Sequence, residues 1–236
     1  MRNKAVKLNM KVLSTVFLAW ILISCNSGDG PEVSKIKVDI RLDRFENDFF
    51  AIDTNNLEQG LNKLGQKYSR FYPYFINDIL GLNNTHIIND NGQMSLNEAG
   101  QFSIKYFYRS YKSIYDSIQL KYKNLNWLSD ELENGFKHLK YYYPSYPVPG
   151  IVSFLGPFDA PGIVVTPKYL GIGLQQFAGK NFSVYKETVM QEQFPEYISR
   201  RFDKEYMTTA CMKGVVDDIY PDTAESASLI ERMIEK

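Results

Sequence analysis

Two cysteines in 236 residues cannot build a disulfide framework. Histidine is as scarce: His86 and His138 are the only two, and neither has a second His or a Cys at ligand spacing. A zinc peptidase needs two imidazoles one helical turn apart, as in His-Glu-x-x-His, and no such pair exists here. No Gly-x-Ser-x-Gly elbow is present, and Gly171-x-Gly173 lacks the third glycine of a dinucleotide-binding loop. There is no excess of cations, with 27 Lys+Arg against 27 Asp+Glu, so the basic footprint of a nucleic-acid binder is missing. No apolar run reaches the roughly 20 residues of a membrane-spanning helix. What the chain does have is 44% hydrophobic residues, including 17 Tyr and 15 Phe, which is enough for a folded core.

The neutral balance hides an uneven distribution. Four cations, Arg2, Lys4, Lys7 and Lys11, fall in the first 24 residues, which hold no acid. The remainder is therefore acidic by four. Val12–Ile23 is an apolar stretch interrupted only by Ser14 and Thr15, the size of a signal-peptide core. Leu22-Ile23-Ser24-Cys25 then reads as a lipobox, in which the Cys25 thiol receives diacylglycerol, the chain is cut before it, and the new amine is acylated. Several acyl chains on one residue anchor stably where a single chain does not. Residues 1–24 are thus expected to be a signal peptide, and residues 25–34 the lipidated cysteine with a small, polar tether. The expected location is the cell envelope, facing the periplasm or the cell surface. Cys211 would be left as the sole thiol, a small buried hydrophobe.

Residues 35–236 read as a single α+β domain. Ile36, Val38, Ile40 and Leu42 alternate with charged residues, which predicts a half-buried strand. Leu57, Leu61, Leu64, Tyr68, Phe71, Phe75 and Ile79 mark a helical stripe that Pro73 should kink or split. A second helix is expected over about Gln101–Tyr122, and a third across Leu128, Leu132, Phe136 and Leu139, capped by Ser129 or a neighbour. Tyr141–Pro149, with three prolines, is expected to be non-helical. Ile151–Leu155, Ile163–Thr166 and the alternating Leu170, Ile172 and Leu174 predict adjacent strands. Pro195 opens a short helix. Asp203 caps another over Lys204–Ile219, with Met207, Ala210, Cys211 and Val215 inward, and Pro221 stops it. Asp222 and Glu225 have capping-box spacing for a last helix bearing Leu229, Ile230, Met233 and Ile234. That helix runs to Lys236 without a stop signal, which predicts further residues beyond it. Helical layers around a small central sheet result, loosely zincin-like in order but without the metal motif.

Candidate chemistry is thin. Asp217-Asp218 are adjacent and diverge on a helix. Pro195 separates Glu192 from Glu196, and Asp130 with Glu133 reads as solvated surface. The tyrosines are more suggestive. Tyr106, Tyr108, Tyr111 and Tyr115 crowd one helix, while Tyr141, Tyr142, Tyr143 and Tyr146 crowd the loop before the strands. Tyrosine pairs an apolar face with a polar tip, which suits protein interfaces and sugar stacking. Tyr142, Tyr143 and Tyr146 are the candidate interaction surface.

Three strings carry a resemblance. They are Tyr142-Tyr143-Pro144 with Pro147-x-Pro149 and the strand Ile151–Leu155; Leu170-Gly171-Ile172-Gly173-Leu174-Gln175-Gln176-Phe177-Ala178-Gly179-Lys180-Asn181 with Tyr185; and Phe194-Pro195-Glu196-Tyr197-x-x-Arg200-Arg201-Phe202. With the lipobox at Cys25, the chain resembles the gliding-motility lipoprotein family GldB over most of its length. The resemblance implies an envelope lipoprotein required for surface gliding, linked to the gliding and secretion machinery, with no defined catalytic activity. It also implies Leu-Asp-x-x-Leu-Gly where this chain has Leu174-Gln175-Gln176-Phe177-Ala178-Gly179, so an acid is replaced at Gln175.

The expectation is a non-catalytic membrane lipoprotein with no cofactor and no metal. Its partners would be the bilayer, through acylated Cys25, and envelope proteins of the gliding machinery, with no nucleic acid. The alternatives are an exported hydrolase or degenerate peptidase-like protein, and a glycan-binding lipoprotein using the tyrosine segment.

Overall fold

The computed structural model describes residues 30–83, 85–88 and 94–221. The signal segment, Cys25, and the last helix with its Asp222/Glu225 capping box lie outside the described residues. Every element named here belongs to one compact unit that starts at Ile36.

The chain enters its sheet later than the alternation predicts. Burial does alternate from Ile36 to Leu42, but ladder pairing is confined to β1, Leu42–Arg44. Its parallel partner is β4, Gly150–Phe154, with Leu42 opposite Ile151. Residues before Leu42 would have to pair with the Pro147-Val148-Pro149 stretch, whose proline nitrogens have no hydrogen to donate. β1 runs directly into α1, Phe45–Phe50.

The long apolar stripe after Leu57 splits, as Pro73 predicts. Its first part is α2, Leu57–Lys67. The chain turns at Tyr68–Phe71 and restarts as α3, Tyr72–Tyr74, with proline in the first turn; a π-helical turn, Phe75–Ile79, follows. A two-stranded antiparallel pair comes next, β2 (His86–Ile88) and β3 (Met94–Leu96).

α4, Glu98–Lys121, begins where the Asn97 side chain accepts a hydrogen bond from the Gly100 N–H at 2.9 Å. Glu98 in its first turn and Lys121 in its last suit the helix dipole. α5, Asn126–Tyr142, buries Leu128, Leu132, Phe136 and Leu139. Two expectations change here. Ser129 is not a cap: Leu125 stands at the N-cap, and the Ser129 hydroxyl donates back to its carbonyl at 3.4 Å. Tyr141 and Tyr142 are helical, because Pro144 restricts only the residue before it, Tyr143, which leaves the helix at φ −127°, ψ 74°.

The strand-rich centre matches expectation. β4 pairs in parallel with β6, Tyr169–Gly173, and β5, Ile163–Val165, runs antiparallel on the far side of β6. The sheet order is β1-β4-β6-β5. All five residues of β6 are buried, as a strand covered on both faces requires. Three helices follow: α6 (Thr188–Gln193), α7 (Glu196–Ser199) and α8 (Lys204–Ile219). Pro195 and Asp203 sit at the N-caps of the last two. α8 buries Met207, Cys211 and Val215, while Ala210 is half-buried. At Gly214 a Cβ would lie 2.9 Å from Ile163 Cγ2, so glycine allows α8 to rest on β5. The architecture is α+β.

Much of the aromatic load is core. Phe45 is fully enclosed, with Tyr68, Phe71 and Phe75 ring centroids at 5.1, 5.0 and 4.6 Å. Edge-on geometry in this cluster adds to simple area burial.

Candidate functional site

The candidate tyrosines do not act as one group. Tyr142 is 62% exposed and packs edge-on against the half-exposed Tyr141, ring centroids 5.0 Å apart. Tyr143 turns to Tyr220, their hydroxyls 2.6 Å apart, and this contact raises its pKa above the ordinary value. Tyr146 stacks on buried Phe136 at 6.3 Å. The exposed aromatic pair is therefore Tyr141 and Tyr142. A second such pair, Phe102 and Tyr106, lies one turn apart on α4 with rings stacked at 6.3 Å. The other tyrosines of that helix brace the fold: Tyr108 donates to the Phe50 carbonyl at 2.8 Å, and Tyr115 stacks on Phe50 at 4.5 Å.

Two of the carboxylates considered in pairs are engaged by lysines instead. Asp217 ion-pairs with Lys213, and Glu133 with Lys137, each one helical turn away. Glu192 and Glu196 lie on α6 and α7, separate elements. His138 Nδ1 donates to the Asn134 carbonyl at 2.9 Å, since a carbonyl can only accept. No cluster of metal-ligating side chains occurs among the described residues. Cys211 is fully buried, and burial pushes its thiol up to about 12. A thiol so placed is not a nucleophile near neutral pH.

One buried acid escaped the sequence reading. Glu46 is 1% exposed. One carboxylate oxygen pairs with Arg44 Nε, and the other accepts from Ser153 Oγ at 2.8 Å. The Arg44 guanidinium also donates to the Tyr122 carbonyl at 3.0 Å and to Gln119 Oε1 at 3.3 Å. This network ties β1, α1, β4 and the end of α4 together. The signal was available: Glu46 lies three and four residues before Phe49 and Phe50, on the apolar face of α1.

A cleft of about 640 Å³ opens between the turn Leu174–Phe177, the end of α7, and α8. Phe177 and Phe202, both buried, form its apolar floor with half-buried Ile163 and Ala210. Arg200, Arg201 and Lys213 stand around it, all exposed. Neither arginine makes an ion pair or a side-chain hydrogen bond among the described residues.

The cleft walls are held by Asp203. Its carboxylate accepts from Lys121 Nζ at 2.7 Å, from the Lys204 N–H at 2.8 Å and from the Lys180 N–H at 3.2 Å. Burial opposes its ionisation, but these three donors outweigh it and hold the carboxyl below its ordinary range. Gly179, beside this hub, adopts φ +114°, and a Cβ there would meet Lys121 Nζ at 2.5 Å. Only glycine fits without strain.

Two of the strings singled out in the sequence converge on this cleft. Gln176 and Phe177 come from the first, and Arg200, Arg201 and Phe202 from the second. The family of gliding motility protein GldB matches residues 26–236. The chain belongs to the GldB family. No curated protein and no solved structure matches it. Where the family resemblance implies an acid, Gln175 is fully buried and works as an amide. Its Oε1 accepts from the Gly156 N–H at 3.0 Å, and its Nε2 donates to the Ala160 carbonyl at 3.5 Å. A carboxylate could accept but not donate. The Gln175 amide thus joins the loops following β4 and β6. GldB membership makes this a gliding-motility lipoprotein.

Proposed function

We propose that this chain is a non-catalytic component of the gliding apparatus, held in the envelope by an acylated Cys25, docking on other envelope proteins and linked to the secretion machinery. The observation that carries the docking role is the exposed pair Tyr141 and Tyr142 at the end of a well-anchored helix. Aromatic side chains presented on a rigid element are the usual anchors of protein interfaces. The non-catalytic reading draws support from how the reactive groups are used. Glu46 is committed to Arg44 and Ser153, Asp203 to three donors, and Cys211 is sealed in the core. The anchoring reading rests on the order of cations, apolar stretch and Leu22-Ile23-Ser24-Cys25; among the described residues no helix is long and apolar enough to cross a membrane.

Two variants test the two halves separately. Cys25→Ser should move the protein out of the high-salt-washed membrane fraction; retention there would overturn the anchor. Tyr141→Ser/Tyr142→Ser should keep the protein in the membrane but abolish its chemical cross-links to envelope partners. An unchanged cross-linking pattern would remove the docking role from this surface.

A further inference from the structure

The cleft beside α8 has a different chemistry from the tyrosine surface. Its floor is hydrocarbon, supplied by Phe177, Phe202, Ile163 and Ala210. Every charged side chain lining it is a cation, in a chain that is acidic by four once the first 24 residues are set aside. Basic residues gathered at one place on an acidic body create a local attraction for anions. Among the described residues, Lys213 pairs with Asp217 on its own helix, and that pair is exposed, with side chains 63% and 36% accessible. Such exposed pairs contribute little and exchange readily. The two guanidiniums are unpaired among the described residues, and guanidinium forks bind carboxylate or phosphate oxygens with two parallel hydrogen bonds. A volume of about 640 Å³ falls within the range of small-molecule sites. The other polar residues lining it are Thr209, Tyr206 and Gln176, whose amide donates to the Ala160 carbonyl at 3.0 Å.

We infer that this cleft binds an anionic amphiphile, a carboxylate or phosphate head group carried on an aliphatic chain. The chain lies over Phe177 and Phe202, and the head group is held by Arg200 and Arg201. Asp203 keeps the floor in place, because the backbone N–H groups of Lys180 and Lys204 both end on its carboxylate. The inference depends neither on the Cys25 anchor nor on the tyrosine surface. The head group could come from a free fatty acid or from an anionic phospholipid, and the two are separated by the choice of probe.

The test uses the full-length protein in nanodiscs of neutral lipid, with three photoactivatable diazirine probes: palmitic acid, the matching palmityl alcohol, and phosphatidylglycerol. Cross-linked residues are mapped by mass spectrometry. Labelling at Phe177, Phe202 and Ala210 should be at least about tenfold stronger with an acidic probe than with the alcohol, as the loss of charge-assisted contacts dictates. Preference for palmitic acid identifies a fatty acid, and preference for phosphatidylglycerol a phospholipid; either supports the assignment. Arg200→Gln/Arg201→Gln should reduce the acidic labelling by a similar factor, and Arg200→Lys/Arg201→Lys should restore part of it. Both arginines are exposed, so these variants leave the core intact. As a second route, Ala210→Trp should block labelling by filling the cleft. Equal labelling by the alcohol, acidic labelling that survives loss of both guanidiniums, or competition by hexaglutamate as effective as by decanoate would each overturn the inference.

Discussion

Removing one partner of a buried ion pair is far more damaging than removing both, and the Arg44–Glu46 pair makes that asymmetry measurable. Glu46 has a fully inaccessible side chain, and Arg44 is 16% accessible. Arg44→Met keeps the aliphatic stem but leaves the buried Glu46 carboxylate without its cation, facing the Ser153 hydroxyl. It also strips the Tyr122 carbonyl of its guanidinium donor. The loss should be about 3–5 kcal/mol, a large part of the roughly 5–15 kcal/mol that holds a domain together. Glu46→Gln keeps an acceptor for Ser153 and leaves a guanidinium that water can reach, so its cost should be smaller, about 1–3 kcal/mol. Arg44→Met/Glu46→Leu removes both charges and should be more stable than Arg44→Met alone. Urea denaturation followed by tyrosine fluorescence and far-ultraviolet circular dichroism gives the stability of the native protein and of all three variants. If Arg44→Met lies within about 1 kcal/mol of the native protein, or the double variant is worse than the single one, the pair does not hold β1 and α1 to the sheet as described.

The hub at Asp203 gives stability a pH dependence of known sign. Its folded pKa is depressed below the ordinary 3.8, so its contribution is present above that value and is lost as pH falls through the lower folded one. Asp203→Asn should flatten this part of the acid limb of a stability–pH curve, and an unchanged limb would refute the assignment. Gly179→Ala should lower the melting temperature through its φ of +114° and displace Lys121 from Asp203; no shift in melting temperature would contradict this. Gln175→Glu should destabilise the joined loops by about 1–3 kcal/mol, since a carboxyl group replaces a fully buried amide and one of the two amide donors to the Ala160 carbonyl is lost, Gln176 Nε2 remaining at 3.0 Å; equal stability would mean that the amide is dispensable. Cys211 should react with a thiol reagent only at the rate of unfolding, because it is buried and its thiol is pushed up to about 12; rapid modification of the folded protein would contradict its place in the core.

The elements that sequence reading located best are those whose signals are local. α8 carries its own cap at Asp203, an inward stripe ending at Val215, and a stop at Pro221, and it forms as expected. The sheet strands are bounded by Pro and Gly on both sides and shifted by only a residue or so. β1 was overextended because a ladder needs a partner, and the prolines preceding Gly150 supply none over Ile36–Arg41. Tyr141 and Tyr142 belong to α5 despite the prolines that follow, because a proline restricts only its immediate predecessor. The cleft was the least legible feature. Gln176, Phe177, Arg200, Arg201 and Phe202 stand in the strings that carry the family resemblance, but their convergence with residues of β5 and α8 depends on elements meeting in space, which no local pattern encodes. Glu46 was missed for a related reason, since its partners are Arg44 beside it and Ser153 more than a hundred residues away.

The central claim is that the protein serves gliding from a lipid anchor at Cys25. Single-cell gliding speed, measured in cells whose only copy of the chain carries Cys25→Ser, tests it most directly. The account predicts that gliding stops while the protein accumulates outside the washed membrane fraction. Gliding at the native speed with the protein so released would contradict it.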